Sequence, residues 1–148
     1  MFDVKYETFI KCPPEMIFTM FSTPEGMLKH TTFLEAEWET PAPHGVGSVM
    51  RLTSRFLGRL SETRSTMVTW EESNLLVFTA VADGGGSSRI EHIMEAKDGG
   101  TYVTVQGQVE MGGFFKLAEP LLKSQFDKRI WDNLETLKVI CESEEVTA

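Results

Sequence analysis

The chain has 148 residues, 41% of them hydrophobic, and carries a net charge of −8. This length and composition suffice for a core of normal size, so we expect a single domain over residues 1–148. The acidic balance argues against nonspecific binding to nucleic acid or anionic membranes, because phosphate surfaces are held mainly by Lys and Arg.

Hydropathy and cysteine spacing predict neither a membrane span nor a disulfide framework. No apolar run approaches the roughly 20 residues that cross a bilayer, and Asp3 and Lys5 stand where a signal peptide would be apolar. We therefore expect a cytoplasmic protein without a transmembrane segment. Cys12 and Cys141 lie far apart without metal-type spacing, so both are expected to be core or helix-face residues.

The N-terminal part of the chain predicts one strand followed by two short helices. Residues 3–11 alternate between apolar or β-branched and charged side chains, as in a strand with one solvent-exposed face. Pro13-Pro14-Glu15 opens a helix, because proline is tolerated in a first turn. The segment Thr23-Pro24-Glu25-Gly26 ends it and starts a second short helix or turn that continues to His30.

Six further strands are predicted by alternation between residues 33 and 109. Each is bounded by turn-forming residues, such as Asp98-Gly99-Gly100, which suits a hairpin that needs positive φ. The predicted ranges are 33–39, 47–56, 59–70, 75–82, 88–96 and 101–109.

The last predicted element is a long amphipathic helix from about 120 to 141. Its apolar residues recur every three or four positions, which places them on one stripe. The stripe consists of Leu122, Phe126, Ile130, Leu134, Leu137 and Cys141. A single such helix after many antiparallel strands must bury its stripe on the sheet, and a sheet that curves around the helix leaves a pocket between them.

Several segments, which together span nearly the whole chain, match a known family. They are Ile10 through Phe18 (IKCPPEMIF), Gly45-Val-Gly-Ser, Val68-Thr-Trp-Glu-Glu-Ser-Asn-Leu-Leu, Gly99-Gly-Thr-Tyr-Val-Thr and Leu134-Glu-Thr-Leu-Lys. With the order of elements, they resemble the START-like or SRPBCC superfamily, in particular its polyketide cyclase/dehydrase-like branch.

The resemblance implies an α+β fold of the helix-grip (START/Bet v 1-like) type. In this fold a curved antiparallel sheet of about seven strands wraps around the long C-terminal helix, and two short helices follow the first strand. Members bind lipids, sterols, polyketides or plant hormones in an apolar cavity, and a minority catalyse. The superfamily has no universal catalytic signature, so the resemblance assigns no catalytic residue here.

Alternation also predicts which side chains face the helix, since residues two apart on a strand share a face. The predicted ligand-binding residues are Met50, Leu52, Phe78, His92, Met94, Val103 and Val105 on the strands and Phe126 and Ile130 on the helix. Gln125, Arg129 and Asn133 are polar candidates beside the helix pair. Plain packing of the helix on the sheet explains Phe126 and Ile130 equally well.

The strand predicted at 59–70 carries the strongest indication of a polar site. Continuing the phase of Trp70 backwards places Thr66, Arg64 and Glu62 on the inner face, so Arg64 and Thr66 join the predicted ligand-binding residues. A buried arginine needs Glu62, His92 or a ligand carboxylate or phosphate as its partner. If the strand twists near its start, Glu62 and Arg64 instead lie at a solvent-exposed rim.

His92 and Arg64 are also the candidate catalytic residues. An imidazole on an apolar face can orient a ligand oxygen or shuttle a proton, although a lone core histidine is commoner. His30 and His44 are expected to be exposed polar residues in loops. The glycines at 84–86 lack the Lys-Ser/Thr of a P-loop, and no HExxH or GxSxG motif is present. We predict neither a metal nor another cofactor.

Three functions remain open from the sequence. Binding of a hydrophobic small molecule, such as a lipid, polyketide-like or aromatic compound, fits both the pattern and the resemblance. A cyclase, aromatase or dehydratase would use His92 for acid-base chemistry while Arg64 polarises a carbonyl. A protein-interaction module would expose Phe33, Phe114 and Phe115 as an apolar patch. We expect a monomer or a weak homodimer, with no nucleic-acid partner.

Overall fold

In a computed structural model the chain forms an antiparallel sheet covered on one face by helices. The structure describes residues 1–56 and 58–147, with the backbone alone for Phe56, Phe114 and residues 144–147. The strands are β1 (Phe2–Ile10), β2 (Glu35–Trp38), β3 (Val49–Phe56), β4 (Arg59–Glu71), β5 (Leu75–Ala82), β6 (Ser87–Lys97) and β7 (Gly100–Glu110). The α-helices are α1 (Pro14–Ser22), α2 (Pro24–His30) and α3 (Glu119–Thr147), and a 3-10 helix (Gly113–Ala118) precedes α3.

This order of elements confirms the predicted helix-grip fold: a curved seven-stranded antiparallel sheet, a long C-terminal helix and two short helices after β1. The last helix is longer than predicted. It begins at Glu119, with Pro120 in its first turn, and no glycine or proline follows Cys141 to end it.

Strands β2 to β7 form a meander, and β1 pairs with β7 as the edge strand. The strand order of the sheet is β1-β7-β6-β5-β4-β3-β2, so each strand from β3 to β7 pairs with its predecessor in sequence. The hairpin between β6 and β7 uses positive φ at Asp98 (51°) and Gly99 (79°), the turn chemistry predicted for this segment.

The two short helices pack closely because α2 has a glycine in its first turn. A Cβ at Gly26 would lie 2.5 Å from the Met20 Cα atom, so no larger residue fits between α1 and α2. The Thr23 side chain caps α2 by accepting a hydrogen bond from the Gly26 N–H at 3.0 Å. This packing brings Phe21 of α1 and His30 of α2 together over the sheet.

The apolar stripe of α3 faces the sheet but is not uniformly buried. Leu134, Leu137 and Cys141 are at most 3% exposed, whereas Phe126 and Ile130 are only partly buried against the core. The C-terminal half of α3 therefore packs tightly on the sheet, and the residues around 126–130 lie over less densely filled space.

A β-bulge in β4 changes which side chains face the helix. The pairing of β4 with β5 shifts between Met67 and Thr69, so Val68 is an extra residue and is 41% exposed. Trp70 packs against Phe18 on the inner side after the bulge. Before the bulge, the inward residues are Met67 and, at alternate positions, Ser65, Thr63 and Ser61.

The prediction that Arg64 and Thr66 face inward is therefore wrong, because the phase was carried backwards through the bulge. The Arg64 side chain is 52% exposed on the outer face, where its Nε lies 2.7 Å from Glu39 Oε1. Its Nη1 lies 3.9 Å from Glu62 Oε2, and Glu62 also pairs with Arg51. Glu62 is thus an outer-face residue as well.

Candidate ligand-binding cavity

A cavity of about 330 Å³ lies between the inner face of the sheet and the region of α3 around Phe126 and Ile130. Its size falls within the range of roughly 300–1,000 Å³ that is typical of small-molecule sites. The apolar part of its wall includes Val4, Phe21, Met27, Leu52, Phe78, Ala80, Ile90, Val105, Val109, Phe126, Ile130 and Leu134.

The predicted ligand-binding residues fall into three groups. Those that line the cavity are Leu52, Phe78, His92, Val105, Phe126 and Ile130. Met50, Met94 and Val103 share the inner face but are at most 1% exposed within the packed core, so they do not reach the cavity. Arg64 and Thr66 lie outside the cavity, because the bulge at Val68 places them on the outer face of β4.

His92 projects from β6 between aromatic rings. Its ring centroid lies 4.4 Å from that of Phe21 and 5.0 Å from that of Phe78, and the residue is 6% exposed. Its Nδ1 lies 3.3 Å from the carbonyl oxygen of Leu76. Burial away from water lowers the pKa of His92 to about 4, with nearby His30 adding to the effect, so the imidazole is neutral at pH 7.

His30 reaches the same region from the end of α2, which corrects the expectation that it is exposed. It is 5% exposed, and its ring centroid lies 5.6 Å from that of Phe21. Its Nδ1 lies 2.7 Å from the Gly26 carbonyl oxygen, and burial lowers its pKa below the ordinary value. The placement of His30 could not be read from the sequence, because a position in a loop does not reveal which helix end turns inward.

Apart from Leu52, the side chains that β3 and β4 supply to the cavity wall carry hydroxyl groups. This hydroxyl wall consists of Ser54, Ser61, Thr63 and Ser65. The Ser61 hydroxyl donates to Asp83 Oδ1 at 3.0 Å. Among the described residues, no protein partner is recorded for the hydroxyls of Ser54, Thr63 or Ser65, so these groups are available to a ligand or to water. Alternation from Met67 backwards would have identified them.

Arg129 and Asn133 add polar groups from α3. Both line the cavity one helical turn apart, on the flank of the helix opposite Asp127. Arg129 is partly buried, and no acidic side chain of the described residues pairs with it. The comparably buried Arg51, at 28% side-chain exposure, contacts two glutamates on the outer face.

Tyr6 lines the cavity, but its hydroxyl is already engaged. The phenol donates a hydrogen bond to Asp127 of α3, and its ring packs edge-on against Trp131. Burial and the adjacent carboxylate raise the pKa of Tyr6. This contact ties β1 to α3 and leaves the phenol unsuited to proton transfer near neutral pH.

The apolar patch predicted for a protein-interaction module is not formed by Phe33 or Phe115. Both are partly buried and line the cavity instead. The side chain of Phe114 lies outside the described residues. His44, in the loop before β3, stacks on Trp38 with a centroid distance of 4.0 Å and is partly buried.

Two further kinds of feature are absent from the part of the chain that the structure describes. It contains no group of three or more His, Cys, Asp or Glu side chains arranged to hold a metal ion. None of its helices is both long enough and apolar enough to cross a bilayer.

Comparison with known proteins shows one family match over almost the entire chain. The model of the family described as "Polyketide cyclase / dehydrase and lipid transport" matches residues 1–142. No curated protein matches the sequence.

Solved structures at low sequence identity share the fold. Protein TTHA0849 from Thermus thermophilus has a TM-score of 0.76 at 18% identity, covering 92% of this chain and 94% of its own. The allergen Ara h 8.0201 has a TM-score of 0.74 at 17% identity, covering 96% and 98%. The Zhui aromatase/cyclase from Streptomyces sp. R1128 has a TM-score of 0.74 at 12% identity, covering 95% and 93%.

Proposed function

The chain belongs to the polyketide cyclase/dehydrase and lipid transport family, and from that premise we propose that it binds a hydrophobic small molecule between the sheet and α3. The observation that supports this proposal most directly is the cavity of about 330 Å³ lined largely by apolar side chains. Ligands of the lipid, polyketide-like or aromatic type suit such a wall.

Two features of the wall support this proposal. Phe126 and Ile130 lie on the buried stripe of α3 yet remain partly exposed, because the space beneath them is the cavity. A ligand would complete the burial of these side chains and gain roughly 25 cal/mol for each Å² of apolar surface removed from water. The hydroxyl wall and Arg129 supply the few polar groups that orient a ligand in an apolar site.

A matched pair of variants tests the proposal by fluorescence titration with the uncharged dye N-phenyl-1-naphthylamine. Ala80→Phe places a ring inside the cavity, whereas Val81→Phe places the same ring on the outer face of β5, where Val81 is 60% exposed. We expect Ala80→Phe to weaken dye binding at least tenfold and Val81→Phe to leave it unchanged. Equal binding by both variants and the wild type would show that the dye does not enter the cavity.

Native mass spectrometry of the protein as purified from cells, followed by denaturing extraction, then identifies what the cavity carries. A stoichiometric bound lipid or aromatic compound supports the binding function and names its chemical class. The same measurement on Ala80→Phe should show the apo mass alone, because the added ring occupies the ligand's space.

A cyclase- or dehydratase-type activity is a second candidate, favoured by the two neutral imidazoles that border the cavity. A neutral His92 can accept a proton from a bound substrate as a general base. The arrangement with Arg64 polarising a carbonyl is excluded, because Arg64 lies on the other face of the sheet. Turnover of a polyketide mimic should disappear in His92→Gln while dye binding persists; turnover that survives the substitution argues against this role.

A further inference from the structure

His30 and His92 come from different elements but present the same kind of atom to the cavity. In each residue Nδ1 faces a backbone carbonyl oxygen, which can only accept a hydrogen bond. Nδ1 therefore carries the proton, and because both imidazoles are neutral, each Nε2 has a free lone pair. The tautomer is fixed independently in the two side chains by the Gly26 and Leu76 carbonyls.

The Nε2 atoms of both histidines open onto the cavity. Among the described residues, no side-chain nitrogen or oxygen that is fully shielded from solvent lacks a hydrogen-bond partner. Within the described parts of the chain, no protein group donates a hydrogen bond to Nε2 of His30 or His92, and both residues line the cavity. Each Nε2 is therefore accessible from the cavity space, although the two residues are about 95% buried overall.

We propose that His30 and His92 form a paired hydrogen-bond acceptor that selects hydrophobic ligands bearing a hydroxyl group, with the hydroxyl directed to the end of the cavity beneath α1 and α2. The inference rests on the proposed binding function and specifies the chemical class of its ligand. The ring of Phe21, which contacts both imidazoles, holds them over the same space.

The selection follows from the cost of leaving buried acceptors unpaired. A phenol or alcohol donates to an Nε2 and replaces the water that it displaces. A ketone, ether or ionised carboxylate at this end has no proton to donate, so its oxygen faces nitrogen lone pairs and both sides lose their hydration. Sites built around hydrogen bonding discriminate strongly against analogues that lack the group.

Three ligands with the same ring system test this inference. 2-Naphthol can donate a hydrogen bond, 2-methoxynaphthalene has the oxygen without the proton, and naphthalene has neither. We expect 2-naphthol to displace N-phenyl-1-naphthylamine about tenfold more effectively than either analogue, the factor that one hydrogen bond to a buried acceptor supplies. Equal affinities of all three would overturn the selection of hydroxyl groups and leave the binding function standing.

Histidine variants locate the effect. His30→Phe and His92→Phe should each reduce the preference for 2-naphthol over 2-methoxynaphthalene severalfold, a ratio that cancels any change in cavity shape common to the two ligands. The control is His44→Phe, because His44 stacks on Trp38 outside the cavity and should keep the full preference. A preference that persists in both cavity variants would overturn the assignment to this pair.

Nitrogen-15 NMR of the unmodified protein tests the same contact without relying on the folding of a variant. Adding 2-naphthol should shift the Nε2 resonances of His30 and His92 in the direction expected for an accepted hydrogen bond, and naphthalene should not. Saturating 2-naphthol without a shift at either Nε2 would overturn the inference. Failure of all three naphthalenes to bind, together with failure of the dye, would overturn the binding function itself.

Discussion

The two faces of the sheet differ in whether their polar side chains are paired within the protein. On the outer face, Arg51 and Arg64 contact Glu37, Glu39 and Glu62, so charges of opposite sign satisfy one another. On the inner face, the hydroxyls of Thr63 and Ser65 have no recorded protein partner among the described residues. The outer charged groups are paired within the protein, and the inner hydroxyl groups are available to a ligand.

This difference separates stability from function along a single strand. Exposed ion pairs contribute about 0–1 kcal/mol each, so the outer network adds little to the free energy of unfolding. Polar groups inside an apolar cavity stabilise the fold even less, but they give a bound molecule its orientation. Stability should therefore depend on the packed core, and binding on the unpaired inner groups.

The largest expected effect tests the packed part of the inner face. Leu76 is 0% exposed in the core, so Leu76→Ala should lower the free energy of unfolding by about 4 kcal/mol through lost burial and a residual void. Val81→Ala, on the outer face of the same strand, should change it by less than about 0.5 kcal/mol. Urea denaturation measures both, and a loss below about 1 kcal/mol for Leu76→Ala would contradict a tightly packed core.

The next effect is the dependence of stability on pH. The pKa of His92 falls from 6.5 to about 4 on folding, so between these pH values the unfolded chain binds the proton more strongly than the folded protein. The contribution of the neutral His92 to the free energy of unfolding is complete above pH 6.5. It should fall by on the order of 3 kcal/mol as the pH drops to 4. Carboxylates and His30 titrate in the wild type and in His92→Gln alike, so the loss of unfolding free energy over this interval should be smaller in the variant by the His92 contribution. Identical pH profiles for the two proteins would contradict a buried, neutral imidazole at position 92.

A smaller effect is expected at the cavity cation. Arg129 has no acidic partner among the described residues, so a ligand carboxylate can pair with it at the flank of α3. Because Arg129 is only partly buried, Arg129→Gln should weaken displacement of the dye by decanoate by about threefold and leave decanol unaffected. Equal weakening for both compounds would indicate lost packing of the arginine stem instead.

The smallest effect is expected on the outer face. Arg64→Ala removes the contacts with Glu39 and Glu62, yet the side chain is 52% exposed and its pairs are screened by solvent. We expect less than about 0.5 kcal/mol of destabilisation and no change in dye affinity. A clear loss of dye binding in this variant would mean that the outer network influences the cavity, against the separation of the two faces.

The fold could be predicted from the sequence because its determinants are local and repeated. Alternation defined the strands, and the apolar stripe from Leu122 to Cys141 defined the last helix. The residues of the cavity were harder to predict, since one extra residue at Val68 inverts the faces of everything before it in β4. His30 depended on the close approach of α1 and α2 at Gly26, which is a tertiary contact.

The position of an inward residue along its strand also decides whether it reaches the cavity, and the sequence does not show this. Met94 and His92 are neighbours on the same face of β6, but Met94 is 1% exposed within the core and only His92 borders the cavity. Alternation indicates the face and says nothing about where the helix stops filling the space above it. That boundary depends on how the sheet curves beneath α3.

The bulge at Val68 has a consequence for comparing this chain with its relatives. Removing Val68 would leave Met67 paired with Phe78 and Thr69 paired with Val77, so the ladder would become regular while Ser61, Thr63 and Ser65 still face the cavity. A relative one residue shorter in β4 can therefore present the same hydroxyl wall. An alignment that places the gap before Ser61 instead would match these inner positions of one chain to the outer positions of the other, and would misidentify the residues that a ligand contacts.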